Sequence, residues 1–363
     1  MQSISQPKSY KEHLYTITVK NFFLYIHNNE RLRNIGVFVS LVYLFIKFYL
    51  LEGFLLIKNL KRDTKKYKIP FSSIVYNALL KYPLMGFLPS EFFLYKLYEN
   101  SYKDYLTFFS FFRILCINRY APFLLEDKLQ FKVHISNKIT TANLVASYDS
   151  HNKKITKYTN SRTDKVVIKP YRSAGGKGVR VVSSSRYPQV LKNYSSDCLV
   201  EDFIHQHHFL NEIFSDSLNT LRILTLKKNN EIVVIKAVLK VGRSITHNLD
   251  HMARGGICIN IDMKSGMLLN GLSNYKHGHL EYVRHPETKY EFYKKTIPFF
   301  EETTELAKQA HRLFPMHHII GWDIAITETG PCVVEGNRIP DLFIIQIFHP
   351  LKNELSPLLN SRP

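Results

Sequence analysis

This chain is short of cysteine, of acidic residues and of any long uncharged apolar run, and each shortage excludes something. The four cysteines, Cys116, Cys198, Cys258 and Cys332, lie far apart in no paired spacing, which argues against a zinc module or a disulfide framework and fits a reducing cytoplasm. The first residues, MQSISQPKSYKEHLYT, hold no basic stretch running into an apolar segment and a small-residue cleavage site. They do not read as a secretory signal. Asp and Glu number 30 against 49 Lys and Arg, a formal net charge of +19. Such an excess draws polyanions: nucleotides, nucleic acid, acidic polysaccharide or anionic lipid. Zinc-finger spacing and an aromatic RNA-binding sheet signature are both missing, which disfavours nucleic acid. There is no internal repeat and no low-complexity segment.

The most apolar stretch, Ile35 to Ile57, approaches the length of a membrane span but carries Lys47 and Glu52. Each charge adds up to about 2.5 to 3.5 kcal/mol to insertion, so spanning is disfavoured. The basic run that follows, KNLKRDTKKYK, suits an anionic leaflet. Two readings stay open: a buried helix of an amino-terminal helical region, or a helix docked on a membrane surface.

What is present speaks for a folded chain. Apolar residues make up 45% of the 363 and aromatics 13%, enough for two or three subdomains sharing a sizeable core. From Phe71 to Leu124, the segments SSIVYNALLKY, SEFFLYKLYEN and YLTFFSFFRIL space apolar residues three and four apart. They predict aromatic-rich helices whose Tyr and Phe stripes are packing. Pro89, Ser90 and Glu91 resemble a helix start. After Ser150 short β-branched runs follow one another between Gly, Asn and Asp turns. They predict an α+β fold dominated by antiparallel strands, broken by one amphipathic helix from Pro298 to Phe314.

Three signals carry chemistry. In VVIKPYRSAGGKGVRVV a strand ending at Lys169 leads through Ser173, Gly175, Gly176, Lys177 and Gly178 into another strand. Glycines let backbone N–H groups approach phosphate oxygens, and Lys169 and Lys177 add charge. Gly178 stands where a Walker A loop has Ser or Thr, so the choice lies between another phosphate cradle and a tight hairpin. In GWDIAITETGPCVVEGN an antiparallel return brings Asp323 beside Glu335 and Asn337. These hard oxygen donors suit magnesium shared with phosphates, although turn edges often carry such residues. In CLVEDFI, Glu201, Asp202, Phe203 and Ile204 follow an apolar strand. A connection of this kind can read an adenine edge, cover its face and offer an acid to a ribose hydroxyl, or be an ordinary strand end. His205, His207 and His208, and His247 with His251, lack a third ligand at a recognised metal spacing. Trp322 reads as packing behind the acidic hairpin.

In this order the three signals resemble the ATP-grasp superfamily from Lys128 to Gln346. The resemblance implies an ATP-grasp fold in which two α+β subdomains clasp ATP. They would span residues 126–199 and 200–363, after a mostly helical region over 1–125. It implies ATP and magnesium, or manganese in its place, as cofactors, with Asp323, Glu335 and Asn337 as metal ligands. Lys128 of EDKLQFK and Lys169 match the family's two nucleotide lysines. Arg222 of NTLRI matches the arginine on the strand after the hinge, and Arg254 of HMARGGICIN an arginine of ribosomal-protein glutamate ligases. With Lys177 these arginines form the implied catalytic set: the lysines hold α and β phosphates, the loop closes over β and γ, and Arg222 and Arg254 steady an acyl phosphate.

SLNTLRILTL, RGGICINID and GWDIAITETGPCVVEGNRIPDLFIIQ look most like the sugar-transfer-associated branch. That likeness implies a carboxylate–amine ligase joining an amine donor to a carboxylate-bearing sugar or polysaccharide precursor, at the cytoplasmic side of surface polysaccharide assembly. A kinase acting on a hydroxyl and a silent scaffold docked on a membrane are the rival readings.

Overall fold

The computed structural model describes residues 33–110, 118, 123–171, 173, 175–246, 249–277 and 281–360. The polar amino-terminal stretch, Cys116, His247, Ala174 of the Gly-rich loop, residues 278–280 and the second half of YLTFFSFFRIL lie outside them, as do the side chains of 35–41. The chain divides into two compact units after Pro89, whereas the sequence reading places its first boundary at 125.

In the first unit, α1 (Arg33–Tyr67) is followed by α2 (Phe71–Ile74), which runs through a π-helical stretch, Val75–Lys81, into α3 (Tyr82–Leu84). Lys65 and Lys66 in the last turn of α1 complement the negative end of its dipole. Lys68, at φ 55°, and Pro70 then end it. Leu44, Phe48, Leu56 and Leu60 form the buried face of α1, and the Tyr49 hydroxyl donates to the Leu79 carbonyl at 2.8 Å. Among the described residues no helix is long and apolar enough to cross a membrane.

The second unit opens with the short α4 (Glu91–Leu94). Its aromatic surroundings are packing: Phe93 stacks on Tyr275 at 5.6 Å and Tyr95 on Tyr105 at 4.7 Å. Next comes α5 (Lys128–Ile135), capped by the Asp127 carboxylate, which accepts the N–H groups of Leu129 and Gln130. A five-stranded antiparallel sheet then forms from β1 (Leu144–Asp149), β2 (Lys154–Lys157), β3 (Lys165–Pro170), β4 (Arg180–Ser183) and, after α6 (Tyr187–Lys192), β5 (Cys198–Asp202). Its order is β2-β1-β5-β3-β4.

After α7 (His208–Ile213) comes a larger sheet of β6 (Thr220–Lys228), β7 (Glu231–Val241), β8 (Ile257–Ile261), β9 (Leu268–Leu272) and β10 (Glu281–Tyr282). It is completed, beyond α8 (Phe300–Arg312), by β11 (Ile319–Thr327) and β12 (Gly330–Asn337). Its order is β10-β9-β8-β7-β6-β11-β12, antiparallel throughout. Two short helices, α9 (Phe343–Gln346) and α10 (Lys352–Asn360), follow.

Alternation along these strands sorts the side chains. Leu221, Ile223, Leu239, Trp322 and Ile324 bury one face of the large sheet against Leu306, Ala307 and Ala310 of α8. That leaves Thr220, Arg222, Lys240, Asp323 and Glu335 on the other face. The Trp322 indole also makes a polar contact within the core. Its N–H donates to the Thr225 hydroxyl at 2.9 Å, which in turn meets His311 Nδ1 at 2.7 Å.

Candidate functional site

The face opposite the core carries the first half of the site. Pairing sets Asp323 opposite Arg222 on β6 and opposite Glu335 on β12. The three side chains therefore share one face by register alone. Arg222 grips Asp323 with two bonds, Nε to Oδ1 at 2.7 Å and Nη2 to Oδ2 at 3.1 Å. Lys240, absent from the sequence-derived set, approaches the same Oδ1 at 3.1 Å and Asp250 at 3.3 Å. Asp250 also accepts a bond from the Thr220 hydroxyl. Burial opposes ionisation of Asp323, yet Arg222 and then Lys240 outweigh it and hold the carboxyl far below the usual range. The residue between Glu335 and Asn337 is Gly336, where a Cβ would come within 2.8 Å of the Trp322 ring. Asn337 reaches Glu335 Oε1 with its amide nitrogen at 3.4 Å and pairs in register with Gly321.

The second half lies on the small sheet. Glu201, at the end of β5, is 2% exposed and stands between two ammonium groups: Lys132 of α5 bonds one carboxylate oxygen and Lys169 of β3 the other. Burial again works against the charge, and the two lysines pull the Glu201 carboxyl down to about 2. Lys132 is buried as deeply and also meets Thr141 Oγ1 and the Ala142 carbonyl. Sequence reasoning names Lys128, one helical turn earlier. The signal for Lys132 is the i, i+4 spacing in EDKLQFK, which puts both lysines on one face of α5. Lys128 turns elsewhere: its ammonium donates to the Ser173 carbonyl in the Gly-rich loop.

That loop is held between the two halves. Gly175, Gly176 and Gly178 adopt φ of 62°, 70° and 73°, the left-handed region that glycine enters without steric penalty. At Gly176 a Cβ would fall 2.7 Å from the Leu249 side chain, and at Gly175 one would lie 3.5 Å from the His251 ring. The loop thus rests on the segment that also supplies Asp250. Lys177 is exposed at its tip. The halves are stitched together at β12 as well, where Val333 N–H donates to the Thr140 carbonyl and the Thr141 hydroxyl to the Val333 carbonyl. Glu335 lies near enough to help hold the Lys169 ammonium in its charged form.

Two of the expected site residues are engaged or placed away from these clusters. Asp202 is expected to serve as an acid for a ribose hydroxyl, but its carboxylate accepts the Ser161 hydroxyl at 2.7 Å, the Arg162 N–H at 3.1 Å and the Asn143 amide at 3.2 Å. It braces the β2–β3 connection. With Glu201 clasped by two lysines, neither acid of this pair faces a ribose. Phe203 also spends its N–H, on the Lys165 carbonyl at 3.2 Å, while Ile204 beside it is half-buried. Arg254 closes a short turn, Met252–Arg254, with its side chain exposed; it is not drawn into the Arg222–Asp323–Lys240 cluster.

His207, His208 and Glu328 come together, with His208 Nδ1 3.2 Å from the carboxylate and His207 Nε2 3.4 Å from it. However, His207 Nδ1 accepts the Phe209 N–H that caps α7. Nε2 of the neutral ring therefore carries the proton and has no lone pair for a metal. The oxygen donors of Asp323, Glu335 and Asn337 do fit a hard cation, which favours carboxylates shared with phosphate oxygens. Asp323 would take such an ion in exchange for its two cationic partners.

No curated protein matches the chain. Among solved structures, D-alanine–D-alanine ligase from Helicobacter pylori overlaps at a TM-score of 0.38 and 16% identity, covering 66% of this chain and 59% of that one. An L-amino acid ligase from Bacillus licheniformis does so at 0.36 and 12%, covering 64% and 42%. For N5-carboxyaminoimidazole ribonucleotide synthetase from Thermotoga maritima the values are 0.34 and 12%, covering 59% and 42%. The chain thus spans only about 42% to 59% of the length of these structures. The family described as sugar-transfer associated ATP-grasp matches residues 112–357, a stretch that holds the lysine-clasped glutamate, the glycine loop and the Asp323–Glu335 hairpin, and the chain belongs to it.

Proposed function

We propose that the chain is an ATP-dependent carboxylate–amine ligase that works through an acyl phosphate. Its acceptor would be a sugar carboxylate such as a uronic acid and its donor an amino acid or other amine, in the assembly of a cell-surface polysaccharide. The observation that carries the reading is the cluster of Arg222, Lys240, Asp323 and Glu335 on one sheet face, opposed by Lys169 and the Gly-rich loop. It brings cations and hard oxygen donors to one place, as phosphoryl transfer requires. The family's link to sugar transfer supports the acceptor class.

The chain's own residues do little covalent chemistry in this scheme. Lys169, released in part from Glu201, and Lys128 hold phosphate oxygens, and the glycine backbone from Gly175 to Gly178 donates N–H groups to them. Asp323, Glu335 and Asn337 would hold magnesium, or manganese in its place, which would supply charge neutralisation at the phosphates. Arg222 and Lys240 move from Asp323 toward the group being transferred, where their charge offsets that of the transition state. An acceptor carboxylate oxygen attacks the γ-phosphorus and ADP leaves. The amine nitrogen then attacks the acyl carbon, loses a proton and expels phosphate. The loop, resting on Leu249 and His251, excludes water from that second step.

The test is ADP release and amide formation, followed by mass spectrometry, with purified protein, ATP, magnesium and panels of uronic acids and amino acids. A mass increase equal to condensation with loss of water supports the ligase. A stable phosphorylated product formed without any amine would replace it with the kinase reading, and no ATP turnover with any acceptor would refute both.

A further inference from the structure

We propose that the amino-terminal unit docks on an anionic membrane surface, lying flat on the outward face of α1, with a cleft at the end of that helix taking a lipid phosphate. Tyr43, Ile46, Leu50, Phe54 and Ile57 are between 49% and 67% exposed. They recur three and four apart, so they share one face, opposite the buried Leu44, Phe48, Leu56 and Leu60. A helix with one buried face ordinarily turns polar residues outward, and one that is apolar all round is covered by something. Tyr76, Leu80 and Leu84 of the second helical segment are also more than half exposed, which adds to the apolar surface of this unit.

Charge selects the occupant. The face that carries Phe54 and Ile57 continues through Lys61 and Lys65 at the same spacing. From Lys58 to Lys68 the only acid is Asp63, which is buried and bonded by Arg62. Lys61, Thr64, Lys65 and the exposed Phe71 line an open cleft of about 440 Å³. A second copy packed parallel would oppose cations to cations, and one packed antiparallel would leave both basic ends without an anionic partner. A leaflet of anionic phospholipid satisfies the apolar stripe and the basic end together. Because no described helix can cross a bilayer, the docking is in the plane of the surface. Nothing in it depends on the ATP reading.

Flotation of the purified full-length chain with vesicles of phosphatidylcholine, with and without phosphatidylglycerol, tests this without nucleotide. The chain is expected to float with the anionic vesicles only and to be released by high salt. The double substitution K61Q/K65Q should weaken binding about thirty-fold, from roughly 1 kcal/mol per basic residue at the surface. L50E/F54E should abolish it, and circular dichroism should be unchanged in both variants. The exposed lysine pair keeps the test valid should the second variant fold poorly. Absence of flotation, or flotation unaffected by K61Q/K65Q, overturns the proposal. So does a gel-filtration shift from dimer to monomer in L50E/F54E, which would assign the face to a second copy.

Discussion

Replacing Glu201 with glutamine removes the one anion that the buried Lys132 and the part-buried Lys169 share while leaving shape and volume almost unchanged. Its folded-state carboxyl lies at about 2 against an ordinary 4.5, a difference equivalent to about 3 kcal/mol of stability. That figure sits at the low end of the roughly 3 to 5 kcal/mol expected when one partner of a buried ion pair is deleted. The loss should appear as a fall in melting temperature of roughly 6 to 12 °C. Because the carboxyl is depressed in the folded state, its contribution is complete above about pH 4.5 and fades as the pH falls toward 2. Urea unfolding followed over that window should therefore show wild type losing stability more steeply than Glu201→Gln. Adding Lys132→Met deletes a buried cation along with the anion, so the double variant should be more stable than the sum of the single changes. A Glu201→Gln protein within about 1 kcal/mol of wild type, with the same acid profile, would refute the clasp as a structural element.

Three further outcomes follow from the same geometry. Gly176→Ala, forced to φ 70° with its Cβ against Leu249, should lower kcat/KM for ATP by at least about tenfold with little change in melting temperature, and Leu249→Ala should restore part of it; equal activity would mean that the loop does not close on this segment. Manganese binding followed by electron paramagnetic resonance should be weak without nucleotide, because Asp323 is held by Arg222 and Lys240, and should tighten about tenfold or more with ADP; Lys240→Met should bind the ion better without nucleotide, and identical affinity in both proteins would sink the competition. His311 and His317 are buried, which lowers both to about 4 from an ordinary 6.5. Their neutral rings therefore support the fold fully above pH 6.5 and progressively less toward pH 4, so denaturant midpoints should drop across that interval, and a flat profile would contradict buried neutral rings.

The parts of this molecule that were legible from sequence are those fixed by local pattern. Strand runs such as EIVVIKAVLKV and the hairpin around Asp323 and Glu335 declare themselves by alternation, and a tight turn sets their register without help from elsewhere. The ATP-grasp fold followed from the order of three such signals. The strand Leu144–Asp149 went unnoticed because it is buried along nearly its whole length and so lacks alternation. Partners distant in sequence were out of reach for a different reason. Lys240 meets Asp323 only because β7, β6 and β11 lie side by side, Asp250 reaches that lysine from a loop beyond β7, and no spacing within EIVVIKAVLKV marks one lysine as different from the next.

Asp202 meets the same limit: whether an acid at a strand end faces a ligand or its own sheet depends on what the neighbouring connection offers. Here that connection supplies Ser161 and Arg162, and with Asn143 they bond the carboxylate. Charges at both halves of the site are thus paired within the chain: Glu201 with two lysines, Asp323 with an arginine and a lysine. The Glu201 clasp carries one cation more than its anion, and that surplus is what a polyphosphate would meet, whereas Arg222 and Lys240 are matched by Asp323 and Asp250. Buried cations left without such partners would lower the stability of the folded chain by several kcal/mol. Glu201 and Asp323 therefore let the fold hold positive charge together at the site.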